Sequence, residues 1–285
     1  MYVLKIPYEE LDIYKILQSG QVFRYEVISE KDYVLIYQNH YVHVKKFEGG
    51  YHFYCEEQEF YTVWSLYLAL DLNYQEINQA IIKADPRLEE VIQEQKGLRI
   101  LRQDPFEMLL TFIISQSKAI PQIRKLVNAL SDQYGQYLGE VESRPIYAFP
   151  TSHALQEITQ EQFRAMKFGY RAPYLVDAIK QVCEGKVVLD LNASLDANQT
   201  MEMLKQIKGV GDKVASCVAL FGLGYMEAFP VDVWMRKTMV HLYDTLDAKT
   251  KDIHIQQFGE KLFGVYAGIA QQYIFEYGRQ MIKIL

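Results

Sequence analysis

The chain has 285 residues, 49% of them hydrophobic and 23% charged, which excludes a disordered chain and leaves ample length for a packed core. Its net charge of −6 argues by itself against a nucleic-acid partner. The distribution reopens that class: residues 1–95 hold 8 Lys/Arg against 16 Asp/Glu, whereas residues 96–285 hold 22 against 20, which permits a local basic groove.

Residues 1–60 read as strands. "YVLIYQNHYVHVKKFEGGYHFYC" alternates large and polar residues, with Gly49-Gly50 placed as a hairpin turn. From about residue 60 the period becomes helical. "QEINQAIIKA" and "PRLEEVIQEQ" carry apolar residues three to four apart, with Pro86 suited to a first helical turn. "DPFEMLLTFIISQ" starts with Asp104 as N-cap and Pro105 at the first helical position, then becomes almost wholly apolar, so it is expected to run through the core. Residues 122–134, 171–184, 200–208, 212–223, 232–244 and 253–282 also read as helices. The predicted class is α+β. An N-terminal antiparallel β-sheet domain with trailing helices spans 1–95, and a mostly α-helical body spans 96–285.

Uncharged apolar runs such as "MLLTFIISQS", about ten residues, are too short for a bilayer. The acidic start "MYVLKIPYEELDIY" does not fit a secretory signal. Cys55, Cys183 and Cys217 are scattered without zinc or iron–sulfur spacing, so no metal site is expected and a reducing cytoplasm is the expected home.

"NQTMEMLKQIKGVGDKVASCVALFGLG" reads as helix, two-glycine hairpin, helix over about residues 200–223. Leu204, Ile207, Val210, Val214, Cys217 and Val218 form the apolar side that locks the two helices. Gly209 and Gly211, flanking Val210, are expected to take positive φ and expose amides at the second helix's N-terminus. Such amides bind a phosphate oxygen and so grip a nucleic-acid backbone without reading its sequence.

Lys213 then lies on the first turn of that second helix, where an amine partly desolvated near positive potential becomes a nucleophile. Nineteen residues later, "FPVDVWMRK" places Asp232 as the N-cap of the next helix. A carboxylate held there suits the stabilisation of a developing cation. Amine and carboxylate together are what cleavage of an N-glycosidic bond needs. Taken singly, each also fits a plainer role: most first-turn lysines are solvated, and most N-cap aspartates only cap.

"IKGVGDKVASC…AFPVDV" resembles the helix–hairpin–helix DNA glycosylases, and specifically the 8-oxoguanine DNA glycosylases. The likeness covers most of the chain, in the family's order. "SGQVFRY" (19–25), "GLRILRQDPFEMLLTFIISQ" (97–116), "GYRAPYL" (169–175) and "AQQYIFEY" (270–277) resemble further family segments. The resemblance implies a bifunctional glycosylase and lyase acting on double-stranded DNA that contains 8-oxoguanine. Lys213 would be its nucleophile and Asp232 its electrostatic partner. Gly20 would offer a backbone carbonyl to the N7–H that 8-oxoguanine has and guanine lacks. The flipped base would stack on Phe275, present its edge to Gln271 and rest against Cys217. Tyr170 matches the family's wedge, in a short loop between helices and beside an exposed Arg171 that contacts the orphaned base.

Three positions depart from the pattern. Ser117 stands where an asparagine commonly fills the vacated space, Gln122 where a second arginine reads the opposite cytosine, and Trp234 where a histidine helps bind phosphate. The first two imply weaker discrimination for cytosine. No organic cofactor and no membrane are implied, the protein is expected to be a monomer associated with the nucleoid, and the hairpin carbonyls offer a seat for a structural cation. Two other readings remain: an alkylated-base glycosylase of the same fold, which generally lacks the lysine, and a non-catalytic helix–hairpin–helix DNA binder, which has no use for Lys213 and Asp232.

Overall fold

The computed structural model describes residues 1–190 and 194–281. The chain opens with strand β1 (Tyr2–Lys5), helix α1 (Ile13–Gln18), then strands β2 (Tyr25–Ser29), β3 (Asp32–Tyr37), β4 (His40–Phe47) and β5 (Gly50–Phe53). They form one antiparallel sheet in the order β1-β5-β4-β3-β2. Its inner face is supplied by Tyr33, Leu35, Val42, Val44, Tyr51 and Phe53, all buried, as the two-residue alternation requires. The β4–β5 turn falls at the glycine pair, where Phe47 faces Gly50 and Gly49 takes a φ of +89°.

One N-terminal segment is not a strand. Asp12 accepts from the Lys15 N–H at 3.1 Å and caps α1, whose Ile13, Ile16 and Leu17 are buried at helical spacing. Short helices α2 (Glu57–Glu59) and α3 (Ser65–Tyr67) flank a π-helical turn at Phe60–Trp64. Helices α4 (Tyr74–Ala84) and α5 (Leu88–Glu94) follow, and Pro86 lies in the turn before α5 rather than in its first turn.

Helix α6 (Pro105–Ser115) begins as the sequence implies: Asp104 accepts from the Glu107 N–H at 2.9 Å, with Pro105 in the first turn. Every residue from Glu107 to Ile114 is buried. Helix α7 (Ile120–Tyr134) leads into a small hairpin, β6 (Tyr137–Val141) and β7 (Arg144–Tyr147), whose five- and four-residue strands were too short and mixed to stand out as a period. Helix α8 (Gln160–Ala165), a 3₁₀ turn at Gly169–Arg171 and helix α9 (Ala172–Cys183) come next. The segment 169–175 is thus a tight turn running straight into a helix, not a free loop.

Helices α10 (Ala197–Leu204), α11 (Asp212–Phe221), α12 (Val233–Leu242), α13 (Asp252–Phe263) and α14 (Ala267–Met281) complete the body. The stretch 253–282 is two helices, parted where Gly264 takes a φ of +55° and ends α13; position 282 lies outside the described residues. No described helix is long and apolar enough to cross a membrane.

Sheet and helical body are joined by a buried ion pair. Arg24, 1% exposed, donates to Glu107 Oε2 at 3.2 Å and to the Tyr147 carbonyl at 2.8 Å. Burial pushes the Glu107 carboxyl up to about 7, against the pull of Arg24. Without Arg24 the Glu107 carboxyl takes a proton at neutral pH and the Tyr147 carbonyl loses its donor, so Arg24→Met is expected to cost about 1–3 kcal/mol in denaturant unfolding. The double change Arg24→Met with Glu107→Met is expected to recover much of that loss. Additive losses in the double variant would show that the pair is not what joins the two layers.

Candidate active site

The helix–hairpin–helix consists of α10, a turn through Ile207–Gly211, and α11. The Val210 N–H donates to the Ile207 carbonyl at 3.1 Å and closes the turn, while Leu204, Ile207, Val210, Val214, Cys217 and Val218 are all buried beneath it. Gly209 takes the expected positive φ, +77°, and packs flat on Tyr174: a Cβ there would come within 2.3 Å of the ring. Gly211 departs from expectation. Its φ of −103° and ψ of −174° are open to any residue, but a Cβ there would point into open space. Its lack of a side chain leaves room for an outside group to approach the backbone. No side chain caps α11, so its first N–H groups are available to an anion.

Lys213 projects from that first turn into a cavity of about 430 Å³, within the usual range of small-ligand pockets, about 300–1,000 Å³. The same cavity is lined by Gly20, Cys217, Asp232, Trp234, Gln271 and Phe275. Four separate chain segments therefore converge: the turn after α1, the start of α11, the start of α12, and α14. Lys213 Nζ donates to Ser115 Oγ at 3.4 Å and lies 5.1 Å from the centre of the Phe112 ring. Asp232 Oδ1 accepts from the Met235 N–H at 2.8 Å, which fixes the carboxylate at the mouth of α12.

Burial pushes the Cys217 thiol up to about 11, with Lys213 pulling it down and Asp232 pushing it up. At neutral pH it is a protonated, apolar wall of the cavity. Gln271 is 5% exposed; its Nε2 donates to the Pro230 carbonyl at 3.1 Å, and its buried Oε1 meets no donor in the protein. An acceptor left unpaired at a cavity wall suits a ligand edge that carries N–H groups. Phe275 is half-buried and lies one helical turn along α14 from Gln271.

A second group of expected residues lies around the end of α6. Tyr170 is 53% exposed, whereas Arg171, expected to be exposed, is buried. Its guanidinium donates to the Gln116 and Phe168 carbonyls and stacks on the Tyr170 ring, so it stiffens the turn that carries Tyr170 rather than standing free in solvent. Ser117 is exposed in the left-handed region at φ +52°, a conformation that asparagine adopts more easily. Gln122 accepts from the Ala119 N–H at 3.4 Å and helps cap α7.

Two residues of this site carry no sequence signal. Ser115 touches Lys213, and Gln116 Nε2 donates to the Gly209 carbonyl at 3.0 Å while its own carbonyl receives Tyr170 and Arg171. Only the fold brings the end of α6 against the hairpin and the Gly169–Arg171 turn.

Comparison with known proteins agrees with this arrangement. A family model described as 8-oxoguanine DNA glycosylase, N-terminal domain, matches residues 3–109. The chain is 32% identical to the N-glycosylase/DNA lyase OGG1 of Arabidopsis thaliana, over 96% of its own length and 79% of the relative's. An 8-oxoguanine glycosylase/lyase of Clostridium acetobutylicum, solved with double-stranded DNA containing cytosine opposite 8-oxoguanine, superposes with a TM-score of 0.90 at 38% identity. That match covers 95% of this chain and 93% of the other. MBOgg1, solved with a low-affinity DNA ligand, gives a TM-score of 0.90 at 32% identity over 98% of both chains. With the extent of these matches, this chain belongs to the 8-oxoguanine DNA glycosylase family.

Proposed function

We propose that the protein removes 8-oxoguanine from double-stranded DNA and then cuts the strand, with Lys213 as nucleophile. The observation that carries this is the convergence of Lys213, Asp232, Gly20, Gln271 and Phe275 on one cavity beside an uncapped helix N-terminus. The alkylated-base and purely DNA-binding alternatives have no use for the lysine in that place.

The steps follow from the groups present. The hairpin amides hold a phosphate, Tyr170 fills the stack, and the extruded base enters between Phe275 and Cys217. Its N1–H and exocyclic amine face the free Gln271 Oε1, and its N7–H faces the Gly20 carbonyl. Lys213 Nζ attacks C1′; the C1′–N9 bond breaks and the base leaves with the electron pair. Asp232 supports the positive charge that develops on the sugar. The amine loses its protons as the sugar ring opens to an imine. Loss of a C2′ proton then expels the 3′ phosphate by β-elimination.

No organic cofactor enters these steps. The Ile207 and Gly209 carbonyls already accept from the Val210 N–H and Gln116 Nε2, so a cation seated at the hairpin would share them. We take the protein to act as a monomer. With Gln122 occupied as a cap and Arg171 held by carbonyls, preference for cytosine opposite the lesion is expected to be weak.

Borohydride trapping tests the chemistry. A covalent adduct is expected with 8-oxoguanine duplexes and not with guanine duplexes, at similar rates opposite all four bases. Lys213→Gln is expected to lose it, with excision falling by about 10⁴-fold or more and lesion binding retained. Excision by that variant at the wild-type rate would remove Lys213 from the mechanism.

Phe275→Ala is expected to weaken lesion binding by about 1–3 kcal/mol in a titration, the worth of one stacked base. Unchanged affinity would make Phe275 an ordinary packing residue. Gly209→Ala forces a methyl onto Tyr174 and strains the hairpin by about 1–2 kcal/mol. It is expected to weaken binding to damaged and undamaged duplexes alike, with a shallower dependence on salt if the phosphate contact is lost.

A further inference from the structure

The base-sensing loop is held by side chains from across the molecule. Gly20 follows α1 with a φ of +76°, and a glycine there has little local preference for where its carbonyl points. The orientation must therefore come from its neighbours. The Gln18 carbonyl accepts from Arg279 at 3.1 Å, the Ser19 carbonyl from Gln272 Nε2 at 3.0 Å, and the Gln21 carbonyl from Gln103 Nε2 at 2.9 Å. Gln21, fully buried, donates to Ser19 Oγ at 2.9 Å and to the Arg99 carbonyl at 2.8 Å, and accepts from the Leu101 N–H at 2.8 Å. Of the four carbonyls from residue 18 to residue 21, that of Gly20 alone accepts from no group among the described residues.

Two of these donors lie on α14, the helix that carries Gln271 and Phe275. Gln272 is 3% exposed, and the Arg279 guanidinium is anchored by Glu276 at 2.7 Å and lies 5.6 Å from the centre of the Phe275 ring. One rigid element thus presents the stacking ring and the edge-reading amide, and also grips both peptides that precede the sensing carbonyl.

We infer that Gln272 and Arg279 are positioning residues for base selection: they tie the loop at 18–20 to α14 and so set the Gly20 carbonyl in register with Gln271 and Phe275. Both also line the cavity that holds Lys213, but among the described residues neither hydrogen-bonds to it: their side chains are spent on the loop carbonyls and, for Arg279, on Glu276. The inference rests on Gly20 being the carbonyl that senses N7–H.

The test separates base selection from the lysine chemistry. Wild type, Gln272→Met and Arg279→Met are given duplexes containing 8-oxoguanine, guanine, or a preformed abasic site, under single turnover. Cleavage at the abasic site needs the nucleophile but no base. In both variants the ratio of 8-oxoguanine excision to abasic-site cleavage is expected to fall by about ten- to a hundredfold, as for a misplaced contact. Arg279→Lys, which keeps a donor, is expected to restore part of the ratio. An unchanged ratio overturns the inference, whether both activities persist or both fall together through poor folding. A wild type that excises guanine as readily as 8-oxoguanine overturns the reading of Gly20 itself. A wild type that discriminates, with variants of unchanged ratio, overturns only the role of Gln272 and Arg279.

Discussion

Helix α6 has no polar face along most of its length, and a helix buried from Glu107 to Ile114 has to be covered on every side. Helices α7, α9 and α11 pack on it directly, and the Phe23 ring meets Phe112 edge-on at 6.3 Å. Phe112 also stacks on Phe221 of α11 at 5.5 Å. Because the core is closed around this one element, its two ends become fixed points. Its first turn holds the Arg24–Glu107 pair, which ties down the strand layer. Its last residue, Ser115, lies against Lys213, so the position of that amine is a consequence of packing around α6.

Burying polar groups between the two layers gives the site its precision. Arg99, 4% exposed, donates to the carbonyls of Leu68, Leu72 and Glu10 at 3.2, 2.8 and 3.0 Å, and its guanidinium lies 4.1 Å from the centre of the Tyr74 ring. Gln21 and Gln103 add directed bonds on the other side of the same strip. Buried donors left without acceptors are costly, so these bonds allow the N-terminal segment one seating on the body and few others. The turn carrying Gly20 inherits that seating. In the role proposed for it, a carbonyl that has to tell an N–H from a lone pair works only if it cannot move to suit both.

The surface proposed to face DNA follows a different logic. Its parts come from the ends of elements: the mouth of α11, the 3₁₀ turn at Gly169–Arg171, and the left-handed residue Ser117 after α6. Gln116 joins them, reaching the hairpin with its side chain and the wedge with its carbonyl. Ser117 takes a strained conformation after α6, and Trp234 stands at the cavity rim, 38% exposed.

The sequence by itself determined the local features. Asp104-Pro105 and Asp232 dictate helix starts because a cap needs only its own next turn. Gly209-Val210-Gly211 dictates the hairpin, and the alternation from Tyr33 to Phe53 dictates the strands. Lys213 on the first turn of α11, one turn from Cys217, follows from the helical period. What stayed hidden is what depends on neighbours distant in the chain. The helix at Ile13–Gln18 lies in a stretch whose apolar residues also suit strands, and the break at Gly264 needed its positive φ to be seen. Arg171 read as exposed because an Arg beside Tyr has no local signature of burial. The convergence of Gly20, Lys213, Asp232 and Gln271 on one cavity, and the freedom of a single carbonyl among four, were decided only by the tertiary structure. Hydrogen bonds spanning up to 261 residues, like that from Arg279 to Gln18, leave no period in the sequence that makes them.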